Sequence, residues 1–169
     1  VLTADHFIGN ARAFRNDVST ALTYAETHNA LVTMGIPPTR PETGYGYINV
    51  AERIAEGEVS RVAAFKEKPN FETAREYVLS GRYVWNSGMF FFRADAILEA
   101  ITTHLPALSR LCAADDDAAA KKLYAKLPSI SIDHGVMEKA ERVAVVPGSF
   151  GWSDVGSWTS AWELAPKDA

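Results

Sequence analysis

The first 36 residues place an amphipathic helix between two short apolar segments, and this order limits the fold more than any other feature of the chain. Apolar residues recur with a helical period between Ala11 and Ala25. Residues 1–4 before the helix and residues 30–36 after it are rich in apolar and β-branched side chains, as buried strands are. Strand, helix and strand in this order are typical of a parallel crossover unit. The sequence therefore predicts an α/β fold.

Shorter elements alternate in the same way along the rest of the chain. The patterns predict strands at residues 48–50, 59–65, 83–92 and 142–147, and helices near 71–80, 97–105, 106–112, 118–127, 131–140 and 155–164. Residues 37–47 contain three prolines and two glycines, which prevent regular structure there. We expect a single domain with a mixed, mostly parallel sheet flanked by helices.

The composition excludes several classes of function. The 169 residues are 47% hydrophobic and 22% charged, which is ordinary for a globular domain. A net charge of −4 without a basic cluster argues against a nucleic-acid-binding surface. The sequence has neither an apolar run of membrane-spanning length nor a secretion signal, so we expect a cytoplasmic protein that does not enter a membrane. The single cysteine, Cys112, excludes an internal disulfide.

A stretch rich in glycine and tryptophan surrounds a single acid near the C-terminal end. Residues 150–158 hold Asp154 among two glycines and two tryptophans, Trp152 and Trp158. Glycine permits a left-handed backbone or a close approach, and tryptophan suits the walls of a pocket. This turn is therefore expected to hold a carboxylate beside a pocket. The simpler interpretation is that Asp154 caps the following helix or closes an Asx turn.

A second acid, Asp5, follows the apolar segment at the start of the chain. Ligands of open α/β sheets bind at the carboxyl ends of strands, and other polar breaks occur at residues 43–47, 67–68 and 86–88. Asp5 and Asp154 could hold one Mg²⁺, which commonly binds one or two carboxylates together with substrate phosphates. The other positions would supply a cation for phosphate and partners for hydroxyls. A phosphorylated sugar suits this set of groups.

Six segments, taken in order, resemble the bacterial mannose-1-phosphate guanylyltransferase family. They are residues 2–6 (LTADH), 41–48 (PETGYGYI), 67–69 (EKP), 85–90 (WNSGMF), 131–133 with 136–139 (SID and VMEK) and 151–158 (GWSDVGSW), with departures from the family pattern at Thr3 and at His134 and Gly135. Members of that family join mannose 1-phosphate to GTP and release pyrophosphate. The resemblance implies a Rossmann-like nucleotidyltransferase fold, Mg²⁺ as cofactor, and a role in GDP-mannose and polysaccharide biosynthesis. It is also compatible with assembly as a homo-oligomer.

The resemblance implies roles for individual residues as well. Six positions match residues that hold the metal, the phosphate or the sugar: the metal-binding aspartates Asp5 and Asp154, the phosphate-binding Lys68, and the sugar contacts Gly46, Glu67 and Asn86. Asp5, Lys68 and Asp154 would then form the catalytic set. Simpler interpretations remain, since Glu67 and Lys68 could form a surface ion pair and Asn86 could belong to a structural bulge.

Two other acidic segments have ordinary structural interpretations. Asp133 lies within one of the matching segments, yet a helix cap explains an aspartate there equally well. Residues 115–117 are three consecutive aspartates before an alanine-rich helix. Acids at that position complement the positive end of the helix dipole, so they are expected to form a solvated helix start rather than a metal motif.

The family's glycine-rich, arginine-bearing nucleotide loop has no counterpart in this sequence. Residues 1–169 are therefore expected to form a partial nucleotidyltransferase domain, truncated before the Asp5 segment and inactive alone, because that loop cradles the triphosphate. Other functions also remain open. They are a different sugar-1-phosphate nucleotidyltransferase, a glycosyltransferase that uses a sugar nucleotide, and a non-catalytic module that binds one.

Overall fold

The computed structural model describes residues 1–51, 59–112, 114 and 116–166. Seven strands and six α-helices are assigned within these ranges, together with one π-helical turn. In chain order they are β1 (Phe7–Ile8), α1 (Ala11–His28), β2 (Leu31–Ile36), β3 (Tyr47–Val50), β4 (Ser60–Lys66), α2 (Phe71–Ser80), β5 (Tyr83–Phe91), α3 (Ala94–His104), α4 (Pro106–Cys112), α5 (Asp117–Tyr124), the π-helical turn (Asp133–Met137), β6 (Val143–Pro147), β7 (Trp152–Ser153) and α6 (Trp158–Leu164).

Five strands form a closed barrel in the order β2, β5, β3, β4, β6. The β2–β6 pair is parallel, whereas the other four neighbouring pairs of the barrel are antiparallel. The expected mostly parallel, Rossmann-like sheet is therefore wrong, although the mixture of strands and helices is confirmed. Alternating strands and helices form parallel crossover units only where strands that follow each other in the chain also lie side by side and parallel in the sheet. Here β5 lies between β2 and β3 and runs antiparallel to both.

The start of the chain also differs from the expectation. Residues 1–6 form no regular strand, and the side chains of Val1 and Leu2 are exposed. Val1 nevertheless exchanges two backbone hydrogen bonds with Phe90, at 2.7 and 3.0 Å. The strand that precedes α1 is β1, which pairs antiparallel with β7 in a separate two-stranded ribbon. The first crossover unit predicted from the sequence is thus absent from the described residues, since α1 joins this ribbon to the barrel.

Helix α1 matches its prediction and packs on the barrel through small residues. Ala21 and Ala25 are buried in one apolar cluster with Val32 of β2. The side chain of Asn10 accepts two backbone N–H groups at the start of the helix, and Asn29 ends the helix in a left-handed conformation. Small side chains let the helix approach the strands closely, so α1 covers one side of the barrel.

The other helices follow local capping rules. Asn70 caps α2 and Gly81 ends it, both as predicted. Asp116 caps α5 by accepting the N–H of Ala119 at 2.7 Å, which confirms the helix-start interpretation of this residue, while Asp115 lies outside the described residues. Within the described part of the chain, each helix is too short or too polar to span a bilayer.

The barrel interior should not tolerate a side chain at Gly35. A methyl group there would collide with Val84 and lie 2.7 Å from Cγ2 of Val145. We expect Gly35→Ala to lower the free energy of unfolding by about 1 to 3 kcal/mol through overpacking, measured as the urea midpoint of the intact protein. Gly44→Ala is the matched control, because its methyl would meet only Glu42 Oε1 at 3.5 Å. Equal midpoints for the two variants would contradict this account of the barrel.

Candidate active site

The barrel brings Gly46, Glu67 and Asn86 together. Strand β3 lies between β4 and β5, and these three residues adjoin the paired ends of the three strands. The backbone N–H of Asn86 donates to the carbonyl oxygen of Gly46 at 2.8 Å. A methyl group on Gly46 would collide with Glu67 Oε2 and would lie 3.4 Å from Asn86 Cβ. The three residues matched to sugar contacts are therefore neighbours, and Gly46 must lack a side chain for Glu67 to occupy its position.

A bulge in β5 directly follows Asn86, which still pairs with Gly35 of β2. Residues 87–89 stand opposite a single residue of β2. Gly88 has a φ of 72°, a conformation that favours glycine, and its N–H donates to Asn86 Oδ1 at 3.3 Å. The predicted bulge is confirmed. It does not compete with a role in binding, because bulges commonly re-aim a side chain beside a site.

The amide of Asn86 lies at the centre of a hydrogen-bond network. Thr33 Oγ1 donates to Asn86 Oδ1 at 3.0 Å, and Asn86 Nδ2 donates to Asp133 Oδ1 at 3.0 Å. Burial, followed by the nearby charge of Glu67, raises the pKa of Asp133 above its ordinary value. These contacts favour a place for Asp133 in the site over a helix cap.

Glu67 and Lys68 form an ion pair with very different exposures. Lys68 Nζ lies 3.0 Å from Glu67 Oε1, and the two side chains are 64% and 13% exposed, respectively. Lys68 also has a φ of 45°, which is unusual for a residue with a side chain. A largely buried carboxylate beside an accessible ammonium differs from an ordinary surface pair. The Lys68 ammonium is therefore accessible to solvent although it is paired with Glu67.

Asp154 is fixed by two donors to one oxygen. Tyr45 OH donates to Asp154 Oδ1 at 2.6 Å, and the N–H of Gly156 donates to the same atom at 3.0 Å. The second contact is an Asx turn, one of the simpler interpretations considered for this residue. The helix-cap interpretation is wrong, because Ser157 caps α6 by accepting the N–H of Ser160 at 3.0 Å.

Aromatic side chains surround Tyr45 and Asp154. The ring of Tyr45 packs edge-on against Trp85 and Trp152, with centroids 5.2 and 5.5 Å apart. Trp152 thus packs against the tyrosine whose hydroxyl donates to Asp154. Trp158 does not, since it begins α6 with 92% of its surface exposed. The two tryptophans of the stretch are separated by the turn at residues 154–157, so only the first faces the site.

The β1–β7 ribbon places Asp5 and Asp154 at the same end of the structure that it forms. Phe7 lies opposite Ser153 in this antiparallel pair, so Asp5 and Asp154 lie beyond the same end of the ribbon. Trp152 Nε1 donates to Nδ1 of His6 at 3.0 Å across it. A shared metal ion at these two aspartates stays a prediction. Carboxylate oxygens at adjoining strand ends fit Mg²⁺, which needs only one or two protein carboxylates.

Among the described residues, no group of three or more His, Cys, Asp or Glu side chains is placed to hold a metal ion. A separate cavity of about 770 Å³ lies between α3, α4 and residues 124–132. Its lining is mostly apolar and includes none of the predicted site residues. The polar cluster at the barrel end is therefore the better candidate for chemistry.

Residues 1–169 match the nucleotidyl transferase family along their whole length. This chain belongs to the nucleotidyl transferase family. It is 45% identical to a mannose-1-phosphate guanylyltransferase of Salmonella montevideo and 46% identical to one of Escherichia coli K12, over 183 and 182 aligned residues. It is also 46% identical to the alginate biosynthesis protein AlgA of Pseudomonas aeruginosa. Each alignment covers 100% of this chain but only 37 or 38% of the relative.

Solved structures agree with the family assignment. A Thermus thermophilus protein described as a mannose-1-phosphate geranyltransferase superposes with a TM-score of 0.86 at 45% identity, over 99% of this chain and 49% of its own. A Helicobacter pylori mannose-6-phosphate isomerase gives 0.77 at 28% identity, over 90% and 62% of the two chains. A UDP-glucose pyrophosphorylase of Acinetobacter baumannii gives 0.58 at 17% identity, over 96% and 47%, and shows the fold alone. The predicted nucleotidyltransferase fold is thus confirmed, whereas the mostly parallel sheet is not.

The sequence analysis did not identify two residues that contact the candidate site, Thr33 and Tyr45. Thr33 carries the one hydroxyl group of the otherwise apolar strand β2. A polar side chain in such a strand indicates a buried hydrogen bond, so the sequence did contain a signal for this contact. Tyr45 lies in a segment that resembles the guanylyltransferases, but its neighbour Gly46 drew the assignment. Their partners lie 53 and 109 residues away, respectively. Spacing along the chain therefore could not reveal these contacts.

The raised pKa of Asp133 should make stability depend on pH. Between the ordinary aspartate pKa and the raised one, the folded state holds more protons than the unfolded state, so stability falls as pH rises through this window. We expect Asp133→Asn to be more stable relative to wild type at pH 7 than at pH 4, because it removes the partly buried charge and keeps an acceptor for Asn86. Thermal midpoints at both pH values test this, with the exposed Glu76→Gln as control. A difference from wild type that does not change with pH would contradict it.

Proposed function

We propose that the protein containing this chain is a mannose-1-phosphate guanylyltransferase, which joins GTP and mannose 1-phosphate to give GDP-mannose and pyrophosphate. The grouping of Gly46, Glu67 and Asn86 carries the proposal, because these are the three positions that resemble the sugar contacts of that family. Tyr45 links this group to Asp154. The curated relatives that bear this name support it across all of the chain.

The barrel end offers the groups that a hexose requires. Glu67 and Asp133 are carboxylates and accept hydrogen bonds from hydroxyls, while the amide of Asn86 can donate. Gly46 leaves its backbone open to the ligand because it has no side chain. Several acceptors grouped at one end of the barrel suit a ligand with many hydroxyl donors, and they suit a purely apolar ligand poorly.

Lys68 would act on the phosphate. Its exposed ammonium lies next to Glu67, so a sugar held by Glu67 would bring its phosphate near this cation. The attacking phosphate oxygen is already ionised at neutral pH, so no general base is needed. Holding the two substrates in line and stabilising charge would supply most of the rate enhancement, as in phosphoryl transfer generally.

Asp5 and Asp154 would hold Mg²⁺ at the other side of the site. When bound, this ion neutralises charge on the phosphates of the nucleotide. Tyr45 and the backbone of Gly156 both donate to Asp154 Oδ1, and they would keep the carboxylate in one orientation. We also propose a cytoplasmic location, where GTP is made.

The experiment is pyrophosphate release by the intact protein with GTP or UTP and a set of hexose 1-phosphates. We expect GTP with mannose 1-phosphate to give the highest kcat/KM. Faster turnover of UTP with glucose 1-phosphate would instead indicate another sugar-1-phosphate nucleotidyltransferase. Binding of GDP-mannose without turnover of any pair would indicate a non-catalytic sugar-nucleotide-binding module.

Glu67→Gln should impair use of the sugar more than use of the nucleotide. Loss of a charged partner for a buried hydroxyl costs about 1 to 3 kcal/mol, or roughly tenfold to a hundredfold in kcat/KM for mannose 1-phosphate. Steady-state kinetics with each substrate varied in turn measure this effect. Glu72→Gln, an exposed change in the first turn of α2, should leave both substrates unaffected. A raised KM for GTP with normal use of the sugar would reverse the assignment.

Asp5→Asn and Asp154→Asn should each weaken metal binding. Each removes one of two expected carboxylate ligands, so we expect Mn²⁺, used as a spectroscopic substitute for Mg²⁺, to bind at least about tenfold more weakly. Electron paramagnetic resonance of free Mn²⁺ measures the affinity without turnover. Asp117→Asn at the exposed start of α5 is the control. Unchanged affinity in both site variants would rule out a shared ion at these aspartates.

A further inference from the structure

The oxygen of the Asn86 amide is fully used within the protein. An amide oxygen has two acceptor positions. Thr33 Oγ1 occupies one at 3.0 Å, and the N–H of Gly88 occupies the other at 3.3 Å. Thr33 itself is 0% exposed. No ligand can reach the Thr33 hydroxyl, and a ligand cannot use the Asn86 oxygen without breaking one of these contacts.

The amide nitrogen keeps one free donor position. One N–H of Asn86 Nδ2 donates to Asp133 Oδ1 at 3.0 Å, and an amide nitrogen has two N–H groups. Rotating the amide by 180° would set its oxygen against the Asp133 carboxylate and its nitrogen against the Gly88 N–H. Both contacts would be unfavourable, because a carboxylate only accepts and a backbone N–H only donates. The network therefore permits one orientation of the amide.

We propose that Thr33 and Asp133 are positioning residues that hold Asn86 in this orientation, so that it offers a ligand one N–H donor and no acceptor. The inference rests on the proposed function and defines the recognition chemistry of its sugar half. The ligand atom at Asn86 must be an acceptor, whereas the neighbouring carboxylate of Glu67 requires a donor. A hydroxyl group meets both requirements, since it accepts from Asn86 and donates to Glu67.

Thr33 gives the sharpest test because it lies too deep to touch a ligand. Thr33→Val keeps the shape of the side chain and removes only the hydroxyl, whereas Thr33→Ser keeps the hydroxyl. In the intact protein, we expect Thr33→Val to lower kcat/KM for mannose 1-phosphate about threefold to tenfold through KM, with the KM for GTP unchanged. Thr33→Ser should restore most of this loss.

Two further measurements separate positioning from a structural role. In an Asn86→Ala background, Thr33→Val should have no further effect, because the group that it positions is gone. Among monodeoxy analogues of mannose 1-phosphate, the analogue that lacks the contacted hydroxyl should be discriminated against less strongly by Thr33→Val than by wild type. An equal loss in both backgrounds, or a lower thermal midpoint with an unchanged KM, would overturn the inference.

The test also distinguishes this inference from the proposed function. If wild type prefers a different hexose 1-phosphate, the guanylyltransferase assignment fails, and the Val and Ser variants are compared with the preferred sugar instead. If wild type uses mannose 1-phosphate and the two Thr33 variants have the same KM, the positioning role fails alone.

Discussion

The backbone hydrogen bond from Asn86 to the carbonyl oxygen of Gly46 joins the irregular segment 37–47 to the barrel, and the candidate site depends on this junction. It fixes the end of the segment against β5 at 2.8 Å. Tyr45, the preceding residue, is thereby held against two tryptophans and reaches Asp154. One main-chain contact thus connects the half of the site proposed to bind the sugar to the half proposed to bind the metal.

The charges of the site explain why these halves need different partners. Glu67, Asp133 and Asp154 are carboxylates, and among the named site residues of the described chain Lys68 is the cation beside them. The carboxylates attract hydroxyl donors and repel phosphates, whereas Lys68 attracts phosphates. Burial, and after it the charge of Glu67, raises the pKa of Asp133. The proposed metal ion at Asp5 and Asp154 would offset this repulsion for a substrate that carries several phosphates.

The sequence predicted the positions of helices and strands better than it predicted which strands pair with one another. Apolar periodicity was sufficient to predict α1, because helix formation is local. Strand pairing is not local, and nothing in the composition of β5 shows that it lies antiparallel between β2 and β3. The same limit applies to the site. The polar break at Asn86 was visible within an apolar strand, but its contacts with Thr33 and Asp133 span 53 and 47 residues.

Competition between local and distant partners indicates which acids are available for function. Asp116 is engaged by the start of its own helix, where it caps α5. Asp154 also precedes a helix, yet Ser157 supplies that cap. Asp154 accepts from Tyr45 in a distant part of the chain as well as from the nearby N–H of Gly156. An aspartate engaged as a cap uses its acceptor on the backbone. Where a serine caps the helix in place of a nearby aspartate, contacts with distant residues can orient the aspartate's carboxylate. Such an aspartate is the better candidate for a role in binding.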